Sequence, residues 1–259
     1  MQLAIKKTDD SIRQIEQAEY LEQIEARIKT YWNTRSNDFS ARRRQELGSQ
    51  NAAAWRALIE KHLPKGRPLK ILDVGTGAGF FAILLAKTGH DVTGIDMSGD
   101  MIHEAKANSL AFGCRAAFRQ MNAMKLDFAS ECFDAVITRN LTWTLPDVVA
   151  AYREWHRVLN IGGVLLNFDS DCGLAAFSKQ GAQASVHANV TDQLLEECNA
   201  IKEELRISTH RRPAWDIAFL QTLGFSMTSD ADVSPLVHLD PQIQYDGSAL
   251  FGIYAVKKQ

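Results

Sequence analysis

Seven residues, Asp73-Val74-Gly75-Thr76-Gly77-Ala78-Gly79, combine types and spacing that suit a ligand held on backbone. Glycine has no Cβ, so the chain can turn sharply there and approach a bound molecule closely. The run joins an apolar, β-branched stretch, LKILDV, to an apolar stretch of helical character, FFAILLAKTG. It therefore delivers a helix N-terminus, whose dipole favours negative charge. Asp73 adds an acid two residues before the first glycine, which suits a cationic ligand better than a pyrophosphate. A second acid, Asp96, closes the next β-like stretch, DVTGID, 21 residues after Gly75. A carboxylate so placed can accept both hydroxyl protons of a ribose. Met97 beside it is placed to pack on the face of a base. The plain structural alternatives are a helix cap for Asp96 and core filling for Met97.

Further candidates follow from the rule that open α/β sheets bind ligands beyond the carboxyl ends of their strands. After FDAVITR come Arg139 and Asn140; after GGVLLNFD come Asp169, Asp171 and Cys172. Asp169 is a candidate general base or substrate anchor, with a cap for the following segment as the alternative. His210 is a candidate base, histidine being the side chain most suited to exchange protons near neutral pH. It opens the cluster His210-Arg211-Arg212-Pro213, whose arginines suit a substrate carboxylate. Solvated charges entering a helix would read the same way. Tyr31, Trp32 and Phe39 lie in the N-terminal region, where a ring face would interact well with a cation; ordinary core packing is the alternative.

These residues need elements to hold them. Ile12, Ile15, Leu21, Ile24, Ile28 and Tyr31 recur at helical steps, with Asp9, Asp10 or Ser11 as a cap. NTRSNDFSARRR reads as a polar break, and its Arg42-Arg43-Arg44 as an exposed helix face. Trp55, Leu58, Ile59 and Leu63 mark a second helix, closed by Pro64 and Gly66. From residue 69, apolar runs of strand length alternate with helical patterns. SGDMIHEAKANSL has Ser98 as its cap, and PDVVAAYREWHRVL has Pro146 near its first turn. Alternation of this kind predicts βαβ units and a parallel sheet. It is interrupted at 170–212, which includes the helical pattern TDQLLEECNAIKEEL. It resumes with PAWDIAFLQTLGF and ends in the β-rich LFGIYAVKK. The reading is an N-terminal helical extension over 1–66, then one domain over 67–259 with an insertion at about 170–212.

The 259 residues carry 46% hydrophobic and 23% charged side chains and a net charge of −2. Ordinary composition of this kind excludes a disordered or collagen-like chain. The absence of a basic excess argues against nucleic acid as a partner. No apolar run reaches the ~18 residues of a membrane span, and the N-terminus has no signal-peptide pattern. The cysteines Cys114, Cys132, Cys172 and Cys198 match no metal spacing, so no metal site is expected. They read as reduced thiols of a cytoplasmic protein.

The G-x-G-x-G spacing, with Phe80 where a dinucleotide fingerprint needs glycine or alanine, resembles the first motif of class I S-adenosylmethionine-dependent methyltransferases. Met121-Asn122-Ala123, Phe133-Asp134-Ala135-Val136 and the segment from Glu154 to Gly163 resemble later landmarks of the ubiquinone-biosynthesis-like, small-molecule branch. Asn122 stands where that branch usually has Asp, and Ile161 where it has Pro. The resemblance covers roughly 69–169. It implies a Rossmann-like α/β fold: seven strands, mostly parallel, the last antiparallel, with helices on both faces and an N-terminal lid. It implies S-adenosylmethionine as cofactor and S-adenosylhomocysteine as product. The cofactor set would be Asp73, Gly75, Thr76, Gly77, Gly79, Asp96, Met97, Asn122, Ala123, Arg139 and Tyr31. Arg139, Asn140, Asp169 and His210 would be the catalytic candidates, Asn122 offering its amide oxygen to the adenine amino group. The acceptor is expected to be a small molecule, since no D/N-P-P-Y type motif follows the fourth strand, and a homodimer stays open. The alternatives are a nicotinamide-dependent oxidoreductase and a non-catalytic S-adenosylmethionine-binding sensor or scaffold.

Overall fold

A computed structural model describes residues 2–173, 176–180 and 189–259, with the side chains of residues 2–14 outside that description. Seven strands form one sheet: β1 Lys70–Val74, β2 Asp91–Asp96, β3 Ala117–Gln120, β4 Phe133–Arg139, β5 Leu159–Ser170, β6 Phe225–Asp230 and β7 Leu250–Lys257. Their order is β3-β2-β1-β4-β5-β7-β6. The first five are parallel, while β7 runs antiparallel to both β5 and β6. The anticipated architecture is therefore present. Its order reverses between β1 and β4, and that reversal opens a crevice at their carboxyl ends.

Side chains along β1 alternate between the two faces, as a strand requires. Leu72 and Val74 join one core with Phe133, Tyr152 and Trp155; Ile71 joins the other with Trp55, Ile83 and Phe168. Eight helices cover these faces among the described residues: α1 Gln2–Leu47, α2 Gln50–His62, α3 Phe80–Ala86, α4 Gly99–Ala111, α5 Val148–Val158, α6 Asp192–Glu204, α7 Ala214–Thr222 and α8 Ser234–Val237. In α3 every residue from Phe80 to Leu85 is buried, so it is apolar all round. In α5 burial falls on Val148, Ala151, Tyr152, Trp155 and Val158, one stripe at helical spacing. Ser98 caps α4 by accepting from Met101 N at 3.0 Å. No described helix is long and apolar enough to cross a membrane.

Two local expectations are corrected. The polar break at 33–44 is absent, because α1 continues unbroken to Leu47. Its buried stripe runs apolar through Ile24, Ile28 and Tyr31, then turns polar at Arg35, Ser36, Ser40 and Glu46. Periodicity of apolar residues fades there although the helix and its burial do not. Asp9, Asp10 and Ser11 lie inside α1 rather than at its start, and their side chains, like that of Ile12, fall outside the described residues. Pro146 lies near the first turn of α5, directly before the cap Asp147, which accepts from Ala150 N at 2.9 Å. The stretch 170–212 contains α6, capped by Thr191, and a short 3-10 turn at Arg206–Thr209; residues 174–175 and 181–188 are outside the described set.

Candidate functional site

The loop from Asp73 to Gly79 turns in the crevice between β1 and α3. Gly75 and Gly77 take φ of 65° and 51°, in the left-handed region that side chains disfavour. A Cβ on Gly77 would come within 3.0 Å of the Phe39 ring, and one on Gly75 within 2.8 Å of Leu141. Backbone and opposite wall are thus close on both sides of the loop. Asp73 is buried beneath it and does not line the cleft. Its Oδ2 accepts from Thr76 Oγ1 at 2.6 Å and from Ala82 N at 3.0 Å, so it ties the loop to α3. Burial pushes its pKa up to about 7, against these two hydrogen bonds. Thr76 N donates to Ile95 O at 2.8 Å, which pins the loop to β2.

Asp96 closes the cleft at the end of β2. Its Oδ2 accepts from Gly77 N at 3.0 Å and its Oδ1 from Ser98 N at 2.9 Å. Burial raises its pKa to about 6 while those N–H groups pull the other way. Met97, Met121, Ala123 and Leu145 give the same cleft apolar walls. Asn122 donates to Glu25 Oε2 of α1 at 2.9 Å, and its own Oδ1 accepts from Met124 N. The loop carrying Asn122 and Ala123 is held from below by α5. Arg157 donates to Glu154 and to the carbonyls of Leu126 and Phe128, and Trp155 Nε1 donates to Ala123 O at 3.0 Å. That is the local task of the Glu154 to Arg157 motif. Ile161 is 54% exposed, so no packing depends on the residue type there.

With α1 over it, the cleft encloses only about 60 Å³. A second cavity of about 390 Å³ adjoins it. Trp32, Phe39, Arg139 and Asn140 line both and form the neck between them. Asn140 has a φ of 54°, its N–H bonded to Phe168 O and its carbonyl to Trp143 Nε1, so the turn after β4 is fixed. Arg139 makes two 2.9 Å bonds to the fully buried Glu46 and lies over the rings of Trp55, Phe80 and Phe81. Glu46 also accepts from Arg43 at 2.6 Å, Trp55 Nε1 at 3.2 Å and Tyr245 OH at 2.9 Å. It joins α1, α2, β4 and the C-terminal loop at one carboxylate. Sequence reading missed Glu46, since a lone acid on a polar helix carries no pattern.

Three candidates sit elsewhere. Tyr31 lines the second cavity rather than the loop cleft, its hydroxyl accepting from Arg35 at 3.0 Å. Asp169 lines neither cavity. It is fully buried, bonded to Thr142 Oγ1, Trp143 N at 3.1 Å and Ser170 N at 2.8 Å, and faces Arg212 at 3.4 Å. Burial raises its pKa, with Arg212 opposing. Arg212 in turn pairs with Asp216 at 2.7 Å, and Asp216 accepts from Tyr152 OH at 2.6 Å. This network braces the turn that carries Trp143. His210 stacks on Trp215 with centroids 4.6 Å apart and also lines neither cavity. Among the described residues, no group of three or more His, Cys, Asp or Glu is arranged to hold a metal.

Residues 72–167 match the family model described as "Methyltransferase domain". A demethylmenaquinone methyltransferase from Roseiflexus castenholzii is 31% identical over 152 residues, 58% of this chain and 60% of that protein. A ubiquinone biosynthesis O-methyltransferase from Alkalilimnicola ehrlichii is 36% identical over 95 residues, 36% of this chain and 38% of that protein. The matches thus span between about a third and three fifths of these curated relatives. In three dimensions, an S-adenosylmethionine-dependent methyltransferase from Mesorhizobium loti superposes with a TM-score of 0.56. It is 18% identical, with 79% of this chain and 98% of that one covered. Strand order and loop agree with these likenesses: residues 72–167 are similar to a methyltransferase domain, and the seven-stranded fold is the one seen in that solved methyltransferase.

Proposed function

We propose that the chain transfers the methyl group of S-adenosylmethionine to a small molecule held in the second cavity. The observation that carries this reading is the junction of two cavities at one neck, with a ribose-type carboxylate at the far side of the first. The lining of the cleft suits a sulfonium nucleoside in charge and in the shape of the loop, while its enclosed volume of about 60 Å³ requires the walls to part for the whole ligand. A Cβ at Gly75 or Gly77 would fill the space over the loop. Arg139 is the cleft's one cationic lining residue, and Glu46 neutralises it. Asp96 and Glu25 would leave a pyrophosphate without counter-charge, whereas an ammonium and a sulfonium suit them. Asp96 would hold the ribose hydroxyls, Met97 and Ala123 the base, and Asn122 the adenine amino group.

When bound, S-adenosylmethionine supplies an electrophilic methyl on a good leaving group. The protein's part is alignment: the attacking atom must lie about 3–3.5 Å from that methyl, in line with the breaking bond. Trp32 and Phe39 wall the neck and exclude water, and their ring faces favour nearby positive charge. Asn140, fixed by its backbone bonds, borders both partners. Asp169 and His210 are not at the neck, so positioning, rather than a charged base from either, is the contribution the described residues make. The small acceptor is supported by the two quinone-pathway enzymes among the relatives and by a cavity within the ~300–1,000 Å³ of small-molecule sites. Calorimetry with S-adenosylhomocysteine and with NADH tests the reading: the first should bind and the second should not. Binding of NADH alone overturns it.

A further inference from the structure

The second cavity carries more positive charge than an alignment site calls for. Arg35, Arg42 and Arg43 line it from α1, and Arg139 reaches it from β4. Asp38 and Glu46 are the carboxylates seen paired with these guanidiniums among the described residues. Asp38 faces Arg35 at 3.2 Å and Arg42 at 3.8 Å; Glu46 takes Arg43 at 2.6 Å and Arg139 at 2.9 Å. One further acid, Asp246, lies on the opposite wall. Arg35 is buried and Arg43 nearly so, with side chains 9% and 12% exposed, and the Nε–H of each has no hydrogen-bond acceptor among the described residues. Buried donors in folded proteins are almost always satisfied, so both guanidiniums beside this cavity have hydrogen-bonding capacity to spare; the Nε atoms themselves are closed off, and a ligand in the cavity would meet the terminal nitrogens. Aromatic rings form part of the remaining lining, beside polar side chains such as Gln242, Gln244 and Ser248. Trp32 meets Tyr31 and Phe39 edge-on, with centroids 5.1 and 5.6 Å apart, and Trp143 meets Phe177 at 5.5 Å. None of Arg35, Arg42 and Arg43 lines the loop cleft, so their charge faces the acceptor side of the neck.

We propose that the methyl acceptor is an aromatic molecule bearing an anionic group, a carboxylate or a phosphate, which Arg35 and Arg43 receive while the ring lies against the aromatic walls. Guanidinium groups bind such anions with paired, charge-assisted hydrogen bonds. The inference rests on the transfer reading given above.

The test is calorimetry on the full chain saturated with S-adenosylhomocysteine. The probes are benzoate, 4-hydroxybenzoate and phenyl phosphate, against the uncharged benzamide and phenol. At least one anion should bind, about tenfold or more tighter than its uncharged counterpart. Whether benzoate or phenyl phosphate is preferred then tells the two anion classes apart. Arg35→Gln and Arg43→Gln should each reduce that preference, with Arg35→Lys keeping part of it. Anions that fail to bind up to about 10 mM, or that bind no better than the uncharged probes, overturn the proposal without recourse to any variant. So does an Arg35→Gln protein that folds and keeps the full preference. A separate arm compares S-adenosylhomocysteine with 5′-methylthioadenosine, which lacks the amino-acid carboxylate. Their affinity ratio should not change in Arg35→Gln; if it collapses, the arginine reads the cofactor and the proposal fails. Failure of S-adenosylhomocysteine to bind the unaltered protein would instead sink the transfer reading itself.

Discussion

Gly75, Gly77 and Asp96 lie close together in sequence and offer the cleft backbone and one carboxylate, whereas the adjoining cavity gathers Tyr31, Arg43, Trp143, Cys198 and Tyr245 from across the whole chain. The first site is made by a turn whose geometry only glycine tolerates. The second is made by side chains that meet because α1 is clamped to the sheet through Glu46. A site of the first kind should lose binding when its backbone is altered, and one of the second kind should lose stability when its clamp is cut.

The largest effect expected is on the loop. Gly77→Val places a Cβ against Phe39 and forces a side chain into the left-handed region, at a cost of about 1–2 kcal/mol in backbone strain. Binding of S-adenosylhomocysteine should fall below detection while circular dichroism stays close to that of the parent; retained affinity would erase the distinction between the two sites. Next comes Glu46→Ala, which strands the buried Arg139 and Arg43. Removal of one partner of a buried pair typically destabilises by about 3–5 kcal/mol, so denaturant unfolding should shift strongly. A loss below about 1 kcal/mol, the range of an exposed pair, would mean that Glu46 is not the clamp.

Asp96→Ala should weaken S-adenosylhomocysteine by about 1–3 kcal/mol through loss of charged hydrogen bonds. Its pH dependence sharpens the point. The folded pKa, about 6, is raised above the ordinary carboxylate value, so burying the ionised form costs the ligand-free protein stability as pH climbs from about 4 to about 6. Ligand hydroxyls bind the ionised form, so affinity should fall as pH drops through about 6, and that dependence should vanish in the variant. Calorimetry between pH 5 and pH 8, on the order of four points, checks both. The smallest effect belongs to Ser98→Ala, which removes the α4 cap and a 2.6 Å bond to Asn33. About 1 kcal/mol of stability should go, with cofactor affinity kept.

The same contrast explains what could be read from the sequence. The alternation of strands and helices, the loop and Asp96 were all visible because each is local: a period, a glycine spacing, an acid at a strand end. The last strand's antiparallel setting came with the resemblance, not with any pattern in LFGIYAVKK. Arg139 was noticed for its place after β4, but its partner Glu46 lies 93 positions away and shows itself only in three dimensions. Asp169 has the place of a base at the end of β5. Burial against Arg212 turns it toward bracing the Trp143 turn, and nothing local to either residue announces that pairing. The reading of 33–44 as a break failed for a related reason. A helix whose buried face is polar, because it faces other polar groups and the neck, has no apolar period to detect.

Helix α1 is fastened unevenly. At its C-terminal end Glu46 is locked by four partners, and Ser40 and Arg44 both bond Asn108. Toward Glu25 the contacts are of another kind: Ile24 and Ile28 are buried in the core, and Arg27 pairs with Glu197 and Glu204 at the half-exposed surface. From Glu46 to Glu25 the helix extends about 30 Å at ~1.5 Å per residue. One rod thus spans the cleft from a polar clamp beside the neck to apolar packing at its other end, so the two walls it contributes are set by two independent sets of contacts.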